Sequence, residues 1–173
     1  ESVHLAWGWR SIHRHDPRRR ALGLGVQVLG GGLSSRLFQA VREDRGLAYN
    51  VFAGLHLFSD AGALGVHAAT EPDRAYELRQ VVEAEVESVA EHGITADELE
   101  IALRGFEGAR LLGLEDSGSR MTRLGNGQSL YGRVESLAEF VASLRAIRLD
   151  DVNAVLAEVL ASASTVAVVG PSA

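Results

Sequence analysis

The chain has 173 residues, 46% hydrophobic and 23% charged, the balance of a soluble globular domain large enough to bury a substantial core. Its net charge of −6 and pI near 5.5, with basic residues scattered apart from Arg18, Arg19 and Arg20, exclude the electrostatic footprint of a nucleic-acid partner. Cysteine is absent, which rules out disulfides and thiolate metal sites and favours a reducing compartment such as the cytoplasm, and no apolar run reaches the roughly 20 residues of a membrane span.

The chain opens on Glu-Ser-Val-His without an initiator Met, and a fragment of a longer protein is expected. Val3 to Trp9 alternates as a strand, with Trp7 and Trp9 on one face as core or interface. Asp16-Pro17 supplies an N-cap and a Pro at the first helical position, which predicts a helix from Arg18 to Leu29 with Leu22, Val26 and Leu29 on its apolar face. Gly30, Gly31 and Gly32 end it. Arg18 to Arg20 oppose the macrodipole of that helix and are expected as a solvated first turn. Ser34 or Ser35 can cap a second helix through Leu37, Val41 and Arg42 that ends before Gly46.

Leu47 to Leu57 and Gly62 to Ala69 are rich in aromatic and β-branched residues around a turn at Ser59, Asp60 and Gly62, which predicts a hairpin. After Glu71-Pro72, Leu78, Val81, Val82, Val86 and Val89 recur at helical spacing as far as Gly93. Thr95 and Glu98 form a capping box for a helix bearing Leu99, Leu103 and Phe106. Glu115 to Tyr131 is a weaker helix, because Gly118, Gly125 and Gly127 each cost about 1 kcal/mol against Ala. Leu149, Val152, Leu156 and Val159 mark a last helix, and Thr165 to Val169 a closing strand. The order predicts one α+β domain over residues 1–173, in two layers, with helices on a mainly antiparallel sheet.

The most informative segment runs from Gly30 to Tyr49: a triple-glycine turn, Ser34-Ser35-Arg36-Leu37-Phe38, then Arg42-Glu43-Asp44-Arg45-Gly46-Leu47-Ala48-Tyr49. These twenty contiguous residues resemble the signature of the C-terminal, non-zinc half of M16-type zinc peptidases, the pitrilysin and mitochondrial-processing-peptidase group. The resemblance implies the two-layer (LuxS/MPP-like) half of a larger two-domain peptidase, with an N-terminal zinc-binding half or homologous subunit as partner and a peptide as substrate. It carries the substrate-contacting arginine and tyrosine onto Arg42 and Tyr49, and places Gly31 and Gly32 near the chamber between the halves. A guanidinium with several donors and a phenol with one suit a peptide carbonyl and its developing oxyanion. Read without the resemblance, Arg42 would be an exposed helical arginine and Tyr49 a core aromatic.

In that family an inverted His-x-x-Glu-His motif in the other half supplies the zinc ligands, and no such spacing occurs among His4, His13, His15, His56, His67 and His92. Zinc is therefore expected in the parent enzyme and outside this chain, which alone should not hydrolyse peptides. The alternative is a non-catalytic scaffold or regulatory subunit of the same family. His13 and His15 form a His-x-His pair, but Arg14 and Arg18 to Arg20 beside it oppose a divalent ion. Gly30 to Gly32 end a helix without a following Gly-Lys-Ser/Thr, which argues against a phosphate cradle, and Ser117-Gly118-Ser119 lacks a placed base. A half that has lost its partner should expose an apolar face, so self-association is expected.

Overall fold

A computed structural model describes residues 2–171. Four strands, β1 (Val3–Ser11), β2 (Asn50–Leu57), β3 (Gly62–Thr70) and β4 (Thr165–Val169), form one antiparallel sheet in the order β2-β3-β1-β4. The sheet is a row of in-register apolar pairs, because side chains alternate faces with a period of two. Trp9 lies opposite Leu64, Trp7 opposite Val66 and Leu5 opposite Ala68, while Ala53 and Val51 of β2 extend two of these rows. All these side chains are buried, and Trp7, Leu64 and Val66 almost completely. Each large one contributes about 1.5–3 kcal/mol by leaving water.

Helices cover that face. They are α1 (Arg19–Gly30), α2 (Ala75–His92), α3 (Ala96–Leu112), α4 (Ser117–Tyr131), α5 (Leu137–Arg145) and α6 (Leu149–Leu160). Leu22 and Leu29 of α1, Leu78 and Val82 of α2, and Val152 and Leu156 of α6 are fully buried in one core with the sheet. The indole Nε1 of Trp7 donates to Glu83 of α2 at 3.3 Å, which gives a buried ring its polar partner. No helix among the described residues is long and apolar enough to cross a membrane.

Several elements depart from the sequence expectation. Asp16 does not cap α1 directly: the helix begins at Arg19, and the Asp16 carboxylate accepts the Arg18 N–H one residue earlier, at 2.8 Å. The arginines at that helix start are not simply solvated. Arg18 pairs with Asp16 and Glu158, and Arg20 with Glu135, so acids within the chain offset the macrodipole penalty. α5 has no counterpart in the sequence reading, although Ser136 and Glu139 form a full capping box at its start. α4 forms in spite of its glycines, capped by Asp116 and terminated by Gly132 in the left-handed region, but it buries no residue. Leu111, Leu112, Met121 and Leu124 are exposed where α3 and α4 project from the core.

Candidate functional site

The twenty-residue segment lies between α1 and β2, and close packing shapes its entrance. A Cβ on Gly30 would sit 2.6 Å from the backbone nitrogen of Ala53, so α1 and β2 can approach this closely only at glycine. A Cβ on Gly31 would lie 2.6 Å from Cα of Gln27. The exposed turn at Gly31 and Gly32 is held by side chains: Gln27 donates to the carbonyl of Gly31 at 3.1 Å, the Ser35 hydroxyl to that of Gly32 at 2.6 Å, and Gln39 to that of Leu33 at 2.7 Å.

The predicted second helix is present in a wider form. Phe38–Glu43 is a π-helix, with the Asp44 N–H bonded to the Gln39 carbonyl five residues back, at 2.9 Å. Leu37, Ala40 and Val41 turn inward and are buried, while Arg42 is left at the surface. Gly46, at φ +58°, ends the segment. Its N–H bonds the Arg42 carbonyl at 3.0 Å and the Leu47 N–H bonds the Val41 carbonyl at 2.8 Å, each spanning one residue more than an ordinary Schellman closure. Arg74 donates to the Gly46 and Arg45 carbonyls at 2.7 and 3.1 Å, satisfying the free carbonyls of this end.

Arg42 and Tyr49 meet at this end. The Arg42 guanidinium carbon lies 4.4 Å from the centre of the Tyr49 ring and 4.9 Å from that of Phe38, and its Nη1 donates to the Tyr49 backbone carbonyl at 3.3 Å. Glu43 is a weak ion partner at 3.8 Å. Tyr49 is 81% exposed, so it is not the core aromatic that its composition alone suggested. It also precedes the sheet: β2 starts at Asn50, and Leu47 to Tyr49 form an irregular approach with the Leu47 carbonyl accepting from the Thr70 hydroxyl. The guanidinium keeps donors in reserve beyond its one long bond, and the aromatic faces hold its plane.

Two residues outside the predicted set brace this arrangement. Arg36 grips Glu98 in a two-pronged ion pair, Nε to Oε1 at 2.6 Å and Nη2 to Oε2 at 2.8 Å, and its Nη2 also donates to the Gly93 carbonyl at 3.1 Å. The Arg36 hydrogen bond lowers the Glu98 carboxyl to about 2 against the opposing effect of burial. This ties the start of the π-helical segment to the N-terminus of α3. Arg36 stood within the recognisable segment and could have been found there; Arg74 lies 28 positions from Gly46 and carried no sequence signal.

His13 and His15 have ring centres 6.4 Å apart, with His15 edge-on to Tyr131. Among the described residues no three His, Asp or Glu side chains are grouped as a metal site.

The chain matches the family model of the peptidase M16 inactive domain over residues 1–106. It is 44% identical over 171 residues to an uncharacterized zinc protease of Mycobacterium tuberculosis, covering 99% of this chain and 39% of that protein. To uncharacterized zinc proteases of Streptomyces coelicolor and Bacillus subtilis it is 40% and 33% identical, each over 99% of this chain and over 37% and 42% of theirs. It thus spans about two fifths of the length of these relatives. Among solved structures, the peptidase M16 inactive domain from Pseudomonas fluorescens superposes with a TM-score of 0.87 at 24% identity, over 99% of this chain and 41% of that one. The inactive peptidase domain of a zinc protease from Bordetella parapertussis gives 0.82 at 22%, over 99% and 94%.

Proposed function

The chain belongs to the peptidase M16 family, and from that premise we propose that it is the substrate-gripping half of a zinc-dependent endopeptidase. The metal would be held by the part of the protein outside this chain. Arg42 and Tyr49 hold the peptide backbone, the guanidinium donating to a carbonyl oxygen and the phenol adding a second hydrogen bond as negative charge develops there. The Gly31 and Gly32 turn leaves room for the chain to pass. The observation that carries the reading is the pairing of an exposed Tyr49 ring with the Arg42 guanidinium 4.4 Å from its centre, next to the free edge of the sheet at β2.

Both groups act by donating hydrogen bonds whose strength grows as the carbonyl becomes an oxyanion, so their contribution belongs to the transition state more than to ground-state binding. The test is peptide cleavage by the full-length protein. Cleavage abolished by a chelator and restored by zinc supports the reading; a zinc-loaded full-length protein that cleaves no peptide contradicts it and points to a scaffold subunit.

A further inference from the structure

The cleft enclosed by α1, α3, α4 and α5 carries a charge arrangement that the peptide-gripping role leaves unused. We propose that it is a binding site for a small phosphate-bearing anion. The cleft holds about 350 Å³, within the range of small-molecule sites. Five guanidiniums line it, those of Arg19, Arg20, Arg110, Arg123 and Arg133, against one carboxylate, Glu135. Five positive charges, less Glu135 and less Glu139, which pairs with Arg133 on the rim, leave an excess of three in a chain whose formal net charge is −6.

The single acid satisfies only one of these arginines fully. Arg20 donates to both oxygens of Glu135 at 2.6 and 2.7 Å, whereas Arg110 stays 3.8 Å away and Arg123 reaches only its backbone carbonyl, at 2.9 Å. Arg133 turns to Glu139 on the rim, at 3.2 Å. Three guanidiniums keep donors without acceptors. Arg19 lies over Tyr131 at 5.1 Å and Arg110 over Phe140 at 4.3 Å, neither hydrogen-bonded to another described residue. The Nε of Arg123 is buried with no partner. Buried donors of this kind are rare in folded proteins unless a protein group, a water or an ion completes them.

Burial and the charge of Arg123 lower the pKa of Arg110, with Arg20 adding to the effect and Glu135 opposing it. An anion in the cleft would relieve this crowding. Arg19 and Arg20 are also the first residues of α1, whose positive helix end adds to the same field. Guanidinium forks converging from three helices match a tetrahedral phosphate better than a flat carboxylate, because phosphate offers several oxygens in different directions. The aromatic faces of Tyr131 and Phe140 hold two of the forks in place before binding. The cleft sits at the N-terminal end of α1 and the Gly31 turn at the other, so roughly 18 Å of helix separates the two, at 1.5 Å per residue over 12 residues.

The experiment is calorimetric titration of inorganic pyrophosphate into the full-length protein at fixed ionic strength, with a nucleoside triphosphate titrated in parallel. Wild type, Arg110→Gln/Arg123→Gln and Arg19→Gln are compared. The proposal expects saturable binding to one site, weakened at least about 30-fold in the double variant and about fivefold in Arg19→Gln. Binding should also weaken as salt rises from about 0.05 to about 0.5 M. Equal affinity for the two probes assigns the site to free oligophosphate, and tighter binding of the triphosphate assigns it to nucleotide phosphates; either supports the shared chemistry. Absence of saturable binding to wild type, the result expected if an acid from the rest of the protein filled the cleft, overturns the proposal. So does binding that both variants leave unchanged. Should the double variant fail to fold, Arg19→Gln decides alone, since Arg19 makes no ion pair with a described residue.

Discussion

Gly30→Ala should destabilise the chain although it adds one methyl group to a helix, where alanine is normally favoured. The new Cβ would lie 2.6 Å from the backbone nitrogen of Ala53 and 2.7 Å from its Cβ. Carbon atoms settle at about 3.5–4.0 Å, so α1 and β2 would have to separate by close to 1 Å. Overpacking of this kind costs about 1–3 kcal/mol, and the helix-propensity gain of alanine returns at most about 1, which leaves a net loss of up to about 2 kcal/mol. Gly23→Ala in the same helix is the internal control. Its Cβ would meet only Phe106 Cζ at 3.9 Å, an ordinary contact. It should therefore stabilise by about 0.5–1 kcal/mol. Urea unfolding of the 173-residue chain reads both, as opposite shifts of the midpoint at constant slope. If Gly30→Ala stabilised the chain as much as Gly23→Ala, the close approach of α1 to β2, and with it the account of the glycine turn, would be refuted.

Because the Glu98 carboxyl is lowered from 4.5 to about 2 by Arg36, its contribution is complete above about pH 4.5 and is lost as pH falls towards 2. Discounted for solvent access, it amounts to roughly 1–2 kcal/mol. Melting temperatures of wild type and Glu98→Gln should therefore differ at pH 6 and converge near pH 2; a constant gap would contradict the assignment. Thr95→Ala removes the side-chain acceptor of the Glu98 N–H at the start of α3 and should cost about 1 kcal/mol by the same unfolding assay. Met121→Glu with Leu124→Glu replaces two exposed apolar side chains on α4. Stability should stay within about 0.5 kcal/mol while self-association of the chain, followed by sedimentation, decreases; unaltered association would clear α4 of that role.

Much of the architecture was legible because each element carries its own pattern. The alternation of Val3 to Trp9, the hairpin, the capping box at Thr95 and Glu98 and the apolar face of α6 all appear in the sequence and in the fold. What stayed hidden depends on tertiary contacts. The π-helical segment Phe38–Glu43 is closed by bonds from Gly46 and Leu47 to its Arg42 and Val41 carbonyls, and the residues just after it are held by Arg74, so local spacing alone reads as an ordinary helix. The strand start moved to Asn50 because Leu47 and Ala48 are buried and the Leu47 carbonyl is taken by Thr70, outside any ladder. Glu158 opposite Arg18 and Glu135 opposite Arg20 lie more than a hundred residues away, which no short window can pair. α5 is the opposite case, since its capping box of Ser136 and Glu139 is local and stands in the sequence itself.

For the site, the sequence named Arg42, Tyr49, Gly31 and Gly32 through a resemblance. The geometry adds that the first two touch and that Tyr49 is open to solvent. It also adds the supports that a motif cannot display: Gln27 and Gln39 on the turn, Arg74 on the helix end, and the Arg36–Glu98 clamp to α3.

The most direct test of the central claim is kcat/KM for peptide cleavage by the full-length protein carrying Arg42→Ala, Tyr49→Phe or both, in zinc-replete buffer. Loss of carbonyl donors predicts a fall of about 10²–10³ for Arg42→Ala, a smaller fall for Tyr49→Phe, and effects concentrated in kcat. Unchanged cleavage by the double variant would contradict the assignment of peptide gripping to this pair.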